Sequence, residues 1–66
     1  MNLEKLVKKR KDAGYTQQML ASHFGFTRQN WSAKERGVQH FRLSEIKELM
    51  SILDLTPEEV INIFIN

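Results

Sequence analysis

Two threonines and two glycines divide the middle of the chain into two short segments of similar length. Thr16 precedes QQMLASHF, which Gly25 closes, and Thr27 precedes RQNWSAKER, which Gly37 closes. Threonine caps helices because its hydroxyl accepts a hydrogen bond from a free backbone N–H of the first turn, and glycine ends them because it tolerates positive φ. The pattern therefore predicts two short helices joined by a three-residue turn. Their predicted bounds are residues 17–24 and about 28–36.

Apolar residues at helical spacing predict one helix before this pair and two after it. Asn2 is a suitable cap for the first helix, and Gly14 ends it. The fourth begins near residues 42–44. Pro57 marks the start of the fifth, because proline favours the first position of a helix, and it lies within the capping sequence Thr56-Pro57-Glu58-Glu59. No segment has the pattern of a strand, so residues 1–66 are predicted to form one compact all-α domain of five helices.

Each predicted element has an inward face. In the first helix this face is Leu3, Leu6, Val7 and Arg10; in the second it is Met19, Leu20 and Phe24. Phe26 is expected to be buried in the turn, and Val38 and Phe41 in the loop before the fourth helix. The fourth helix turns Leu43, Ile46, Leu49, Met50 and Leu53 inward, and the fifth turns Val60 and Ile61 inward.

The composition excludes several classes of function. There is no cysteine among the 66 residues, so neither a disulfide framework nor a thiolate metal site is available. His23 and His40 have no partner at metal-ligand spacing, and no metal, cofactor or catalytic role is predicted. No apolar run approaches the roughly 20 residues that span a bilayer, and the charged N-terminus is unlike a signal peptide. A soluble, intracellular protein is expected.

Charge is distributed unevenly along the chain. Residues 1–36 contain eight lysines or arginines and three acids, whereas residues 37–66 contain two and five. Since neutralisation of phosphate by lysine and arginine supplies most non-specific affinity for nucleic acids, the first part is predicted to face a polyanion. Lys8, Lys9 and Lys11 fit either phosphate contact or a solvated helix surface, and both interpretations remain open.

The run YTQQMLASHFGFTRQNWSAKERG resembles the helix-turn-helix of the lambda-repressor-like, Cro-type family. The pattern of that family is roughly T-Q-x-x-L-A-x-x-x-G-[VIF]-[ST]-x-x-x-[apolar]-S-x-x-E-x-G, and the matching positions here are Thr16, Gln17, Leu20, Ala21, Gly25, Phe26, Thr27, Ser32, Glu35 and Gly37. Trp31 departs from the usual Ile, Val or Tyr, and Lys34 from a position that is often apolar. Trp31 is still expected in the core, whereas no role for Lys34 follows from the pattern. The resemblance implies a five-helix DNA-binding domain, with the motif over about residues 16–37, of a type common in Gram-positive phage regulators.

In this family the second helix of the motif lies in the DNA major groove. The resemblance implies base contacts from the exposed side of that helix, and residue type agrees, because arginine pairs with guanine and glutamine or asparagine with adenine. It also implies a structural ion pair between Arg10 and Glu35. The predicted base contacts are Arg28, Gln29, Asn30, Ser32 and Ala33. The predicted phosphate contacts are Gln17, Gln18, Thr27, Gln39, His40 and Arg42.

The predicted function is sequence-specific binding of double-stranded operator DNA by a transcriptional regulator in the cytoplasm of a bacterial host. One small domain reads few base pairs, so a homodimer on half-sites about 34 Å apart is expected, and a second phage repressor is a possible further partner. The predicted partner surface is Ile63, Phe64 and Ile65, with a frayed terminus as the alternative. Two other functions remain open. One is an antirepressor or modulator that binds a phage repressor protein, and the other is the DNA-binding part of a longer repressor.

Overall fold

The computed structural model describes residues 1–65, and every regular element in that range is helical. The elements are α1 (Leu3–Asp12), α2 (Gln17–Phe24), α3 (Arg28–Glu35), α4 (Leu43–Ile52) and α5 (Pro57–Val60), and α5 continues as a π-helical turn over Ile61–Ile65. These helices pack into a body of 28 × 23 × 20 Å. The predicted all-α, five-helix architecture is confirmed. No helix within the described range is long and apolar enough to cross a membrane.

The predicted caps begin the helices. Thr16 Oγ1 accepts a hydrogen bond from the third residue of α2 at 3.1 Å, and Thr27 Oγ1 does the same for α3 at 3.1 Å. Equivalent bonds are made by the side chains of Asn2 and Thr56. Gly25 has φ +74°, and an added Cβ would meet nothing within 4 Å, so backbone strain rather than space favours glycine in this turn. Helix α2 has the predicted bounds. Helix α3 begins where predicted and ends one residue before its predicted end.

The core lies between all five helices and contains an aromatic stack. The largest fully buried side chains are Trp31, Leu6, Leu20, Leu49 and Ile63. The ring of Phe24 stacks on Trp31 with centroids 5.6 Å apart, and Phe41 meets Trp31 edge-on at 5.5 Å. Aromatic pairs in these arrangements add stabilisation beyond their buried area. Trp31 therefore joins α2, α3 and the loop before α4.

Several predictions of burial are wrong. Met19, Val38 and Leu43 were expected inside, but they are 50%, 67% and 68% exposed. The sulfur of Met19 accepts a hydrogen bond from the backbone N–H of Thr16, which holds this side chain at the start of α2 instead of in the core. Val38 follows Gly37, whose positive φ reverses the chain direction. Phe26 is half-buried and packs against the edge of the core.

The C-terminal turn has a different inward face from the predicted one. Ile63 is completely buried, so its assignment to a partner surface is wrong, and Ile61, expected inside, is 45% exposed. The reason is the π-helical winding, which bonds residue i to i+5 and rotates each side chain relative to its position in an α-helix. A hydrogen bond of 2.9 Å from the Asn2 backbone N–H to the Ile63 carbonyl fixes this turn to the start of the chain. Phe64 is half-buried against the core, and Ile65 remains 71% exposed.

Candidate nucleic-acid interface

The first turn of α3 presents two long polar side chains to solvent. Arg28 and Gln29 follow the capping Thr27, and all three are exposed. Neither Arg28 nor Gln29 makes a hydrogen bond or ion pair from its side chain within residues 1–65. Both side chains are therefore available to bind a ligand in front of α3.

The remaining predicted base contacts are less accessible. Ser32 is half-buried and accepts a hydrogen bond of 3.4 Å from Arg36 Nε. Asn30 is also half-buried, and its side-chain oxygen is buried without a hydrogen-bond partner among the described residues. Ala33 is only 8% exposed, so the expectation that it lies on the exposed side of α3 is wrong. The chain after Gly37 folds back against this end of α3, where the Ala33 carbonyl accepts hydrogen bonds from the backbone N–H groups of Val38 and Gln39 at 2.9 and 3.3 Å.

A shallow concave surface lies between α1, the start of α2 and the exposed side of α3. It has a volume of about 860 Å³, and its rim carries the cationic side chains Lys11, Arg28 and Arg36 together with the amides of Gln17 and Gln18. The first N–H groups of a helix have no intrahelical partner and form the positive end of its dipole. Positive charge and free donors in one concavity suit a phosphate group. Sequence reasoning left Lys11 open and missed Arg36, because only the packing of α1 against α3 brings them to one rim.

Four side chains at and behind this surface form what we call the Glu35 cluster: the buried Arg10, Trp31 and Glu35 and the half-buried Gln17. Arg10 and Glu35 form the ion pair that the resemblance implied, with Arg10 Nε 2.7 Å from Glu35 Oε2 and side chains 7% and 3% exposed. Gln17 Nε2 and Trp31 Nε1 also donate to the Glu35 carboxylate, at 2.9 Å and 2.8 Å. Arg10 further donates to the Tyr15 carbonyl at 2.8 Å. The cluster holds α1, the start of α2 and the end of α3 together.

The Glu35 cluster changes the expectation for Gln17. One amide hydrogen of this predicted phosphate contact is already donated to Glu35, which leaves the second hydrogen and the backbone N–H facing the concave surface. Gln18 is exposed, and its amide donates to Ser22 Oγ at 2.9 Å. Both glutamines thus lie at the start of α2, as predicted, but each has a partner within the chain.

Lys34, for which the sequence indicated no role, is buried. Its ammonium group donates to Glu45 Oε1 at 3.0 Å and to the His40 carbonyl at 2.9 Å, and the two charged side chains are 7% and 10% exposed. The same nitrogen lies 5.0 Å from the centre of the Phe26 ring and 5.5 Å from that of Phe41. The sequence signal was a lysine at a position that is often apolar, but nothing in the spacing identified Glu45 as its partner.

The loop between α3 and α4 exposes the other three predicted phosphate contacts. Gln39, His40 and Arg42 all lie on the surface, on either side of the half-buried Phe41. The backbone N–H of Arg42 donates to Glu45 Oε1 at 3.0 Å, which begins α4. The loop is therefore fixed at its C-terminal end, and its side chains point to solvent.

The two histidines lie on the surface in different parts of the fold. His23 Nε2 lies 2.8 Å from Glu48 Oε2, in an exposed pair that links α2 to α4. Within the described residues, no group of three or more histidine, cysteine, aspartate or glutamate side chains is placed to hold a metal ion.

Comparison with known proteins agrees with this geometry. The family described as "Helix-turn-helix domain" matches residues 6–61, which is most of the chain and includes α2, α3 and the turn between them. A comparison with curated proteins found no match, and a comparison with solved structures found none either.

Proposed function

Because the chain belongs to the helix-turn-helix domain family, we propose that it is a sequence-specific regulator that occupies an operator in double-stranded DNA through α3. The observation that carries the proposal is the pair of free, exposed side chains on the first turn of α3, Arg28 and Gln29, beside a cationic concave surface. In this motif the second helix enters the major groove with its N-terminal residues at the base edges. The resemblance to Cro-type proteins supports a phage or prophage regulator that acts in the cytoplasm of a bacterial host.

The proposed base readers are the two residues of α3 whose side chains are exposed and make no hydrogen bond to the rest of the described structure. Arg28 pairs with guanine O6 and N7, and Gln29 pairs with adenine N6 and N7. Ser32 lies one turn after Arg28 and lines the same concave surface, but Ser32 and Asn30 are both half-buried and are assigned as secondary contacts. This division makes the first turn of α3 the main determinant of sequence preference.

The proposed phosphate contacts surround the base readers. At the start of α2 and in the turn they come from Gln17, Gln18 and Thr27, and in the loop before α4 from Gln39, His40 and Arg42. Phosphate contacts fix the register of a protein on the duplex without reading its sequence. Lys11 and Arg36 join this set because they line the same concavity as Arg28.

The proposed regulator acts as a homodimer on DNA. A single domain of this size reads too few base pairs for operator specificity, and two-fold operators match two-fold proteins. With Ile63 in the core, the proposed partner surface is reduced to Ile65 and the exposed part of Phe64, and Ile61 is added to it. Occupation of the operator then blocks or redirects polymerase, and a second phage repressor competing for the same site is a further proposed partner.

Binding to the intergenic DNA beside the gene of this protein tests the proposal. Wild-type protein should bind a defined site in a gel-shift assay, and log Kobs should fall with log salt by about 0.9 for each phosphate neutralised. Arg28→Ala and Gln29→Ala should each relax preference at one base position, at a cost of about 1–3 kcal/mol against the preferred base. Lys47→Ala removes an equal charge from the exposed side of α4 and serves as the control for Arg28→Ala. Equal losses on every DNA sequence would contradict the assignment of base readers.

A second function is favoured by the exposed apolar side chains Val38, Leu43, Ile61 and Ile65. They suit a protein partner, as expected of an antirepressor that binds a phage repressor. In that case the wild-type protein binds no DNA by itself but changes the gel shift given by the repressor. The Arg28→Ala and Gln29→Ala variants then either change that gel shift as the wild type does or bind the repressor more weakly.

A further inference from the structure

The ion pair between Lys34 and Glu45 holds residues 40 and 42 of the segment between α3 and α4. Lys34 Nζ donates to the carbonyl of His40, and Glu45 Oε1 accepts from the backbone N–H of Arg42. The two side chains are joined to each other at 3.0 Å. Residues 40–42 are therefore attached to the body of the protein at their first and last members through Lys34 and Glu45.

The residue between these two attachments points inward. Phe41 lies edge-on to Trp31 with centroids 5.5 Å apart, and edge-on to Phe64 at 5.3 Å. The Lys34 ammonium faces the same ring at 5.5 Å. With the ring of Phe41 held inside, the side chains of His40 and Arg42 on either side of it are directed to solvent.

Stability alone does not account for a lysine at this position. Removing two charges from water costs about as much as their attraction returns, and replacing a buried pair with apolar side chains is often neutral or stabilising. The distinctive effect of Lys34 is geometric, since an apolar side chain there would not bind the His40 carbonyl. The charge holds the His40 carbonyl in place, whereas the residues just before it are attached to α3 by backbone hydrogen bonds from Val38 and Gln39 to the Ala33 carbonyl.

We propose that Lys34 is a positioning residue that, with Glu45, presents His40 and Arg42 to a DNA phosphate. This inference rests on the proposed function, and it assigns the buried pair a role in DNA binding that does not require Lys34 to touch DNA. Arg42 supplies the positive charge of the contact, and His40 supplies a ring N–H donor. Phosphate recognition by the loop then depends on a residue about one and a half helical turns after the proposed base readers of α3.

A double-mutant cycle tests the proposal, because it separates positioning from stability. Arg42→Ala is made in the wild type and in the variant Lys34→Met/Glu45→Gln. The double change keeps the formal net charge at +2, and the glutamine oxygen can still accept from the Arg42 N–H. In wild type, Arg42→Ala should weaken operator affinity about tenfold and lower the salt slope by about 0.9. In the double variant the same change should cost less than about twofold.

One further measurement separates the positioning role from a loss of fold. Without DNA, the amide hydrogen of Arg42 should exchange faster in the double variant than in wild type, because its acceptor at position 45 is no longer held by Lys34, while the amide hydrogens of α1 stay protected. Equal cost of Arg42→Ala in both backgrounds overturns the positioning role and leaves the proposed function intact. If the wild type binds no operator, the proposed function and this inference both fail. Should Lys34→Met/Glu45→Gln not fold, Lys34→Gln/Glu45→Gln enters the same cycle.

Discussion

At the scale of single residues, Glu35 makes the densest set of interactions in the described structure. Its carboxylate accepts from Arg10, Gln17 and Trp31, and it is the last residue of α3, the helix that carries the proposed base readers. Glu35→Ala leaves the Arg10 guanidinium buried without its counter-charge. We expect the free energy of unfolding to fall by about 3 kcal/mol, as measured by urea denaturation.

An exposed ion pair provides the control for this change. Lys8 and Asp12 form a pair of 2.9 Å with side chains 75% and 60% exposed. Such pairs contribute little because water screens them, so Asp12→Ala should change the free energy of unfolding by less than about 1 kcal/mol. Similar losses for the two variants would show that burial does not strengthen the Glu35 cluster.

Asn30 gives the opposite expectation. Its buried side-chain oxygen has no hydrogen-bond partner within residues 1–65, and an unsatisfied buried acceptor is destabilising. Asn30→Ala removes that oxygen, keeps the backbone bond to Thr27 and introduces a better helix former. The free energy of unfolding should rise by about 1 kcal/mol, which thermal denaturation can measure.

The neighbouring exposed residue tests whether burial is the cause. Gln29→Ala should leave stability within about 0.5 kcal/mol of wild type, since surface changes away from special features are nearly neutral. A marked loss of stability in Asn30→Ala would mean that its amide has a structural partner in solution. In a DNA-binding assay, a loss of affinity in Gln29→Ala but not in Asn30→Ala would assign base reading to the exposed side chain of Gln29 alone.

At the scale of elements, the sequence predicts helix ends better than helix faces. Thr16, Thr27 and Gly25 act through their own backbone and hydroxyl groups, so local chemistry suffices to place α2 and the start of α3. The burial of a side chain, by contrast, depends on which other parts of the chain pack against it. For this reason helical periodicity predicts Met19 and Leu43 on inward faces, whereas both are exposed. The π-helical turn over Ile61–Ile65 changes the helical period itself, which a fixed 3.6-residue pattern cannot represent.

The attachment of α5 to α1 should depend on pH through Glu59. Hydrogen bonds from Lys9 and from the Thr56 backbone N–H lower the pKa of this carboxyl group from 4.5 to about 2. Because the folded-state pKa lies below that of the unfolded chain, the carboxylate stabilises the fold fully above about pH 4.5, and this contribution is lost as the pH falls towards 2. Urea denaturation midpoints of the wild type should therefore fall over this range.

Glu59→Gln isolates that effect from other carboxyl groups. The amide oxygen can still accept from Thr56, but it does not titrate. The difference in stability between wild type and Glu59→Gln should be largest near pH 5 and should shrink as the pH approaches 2. A difference that stays constant across this range would show that the Lys9–Glu59 pair is not formed in solution.

At the scale of the whole molecule, the candidate site was only partly predictable. Arg28 and Gln29 could be identified because they follow a cap in a motif of fixed spacing. Arg36 and Lys34 could not, since their roles depend on distant parts of the chain: α1 across the concave surface for Arg36, and Glu45 with the His40 carbonyl for Lys34. Ala33 is the opposite case. The resemblance implied that it contacts bases, but tertiary packing buries it.

The proposed dimer gives a prediction for Ile65. Ile65→Ser should weaken operator binding about tenfold at low protein concentration, because an apolar contact between two copies is lost. Since Ile65 is 71% exposed, the melting temperature of the free protein should not change. Sedimentation equilibrium with operator DNA would show two copies per site for wild type.

A similarly exposed apolar residue is the control. Leu43 is 68% exposed at the start of α4, away from the π-helical turn in the sequence. If Leu43→Ser weakens operator occupancy and Ile65→Ser does not, the two copies meet at α4. If neither variant has an effect, the exposed apolar side chains do not mediate dimerisation.

The buried indole of Trp31 can serve as an intrinsic fluorescence probe. It is the only tryptophan in the chain, it is fully buried, and its N–H is bound to Glu35. Its fluorescence emission will therefore shift to longer wavelength when the core opens to water. Because the ring cannot stack on a base, any change in emission when DNA is added reports a rearrangement behind α3 and not contact with the nucleic acid. Fluorescence of the unlabelled protein can thus show whether DNA binding changes the packing of the core.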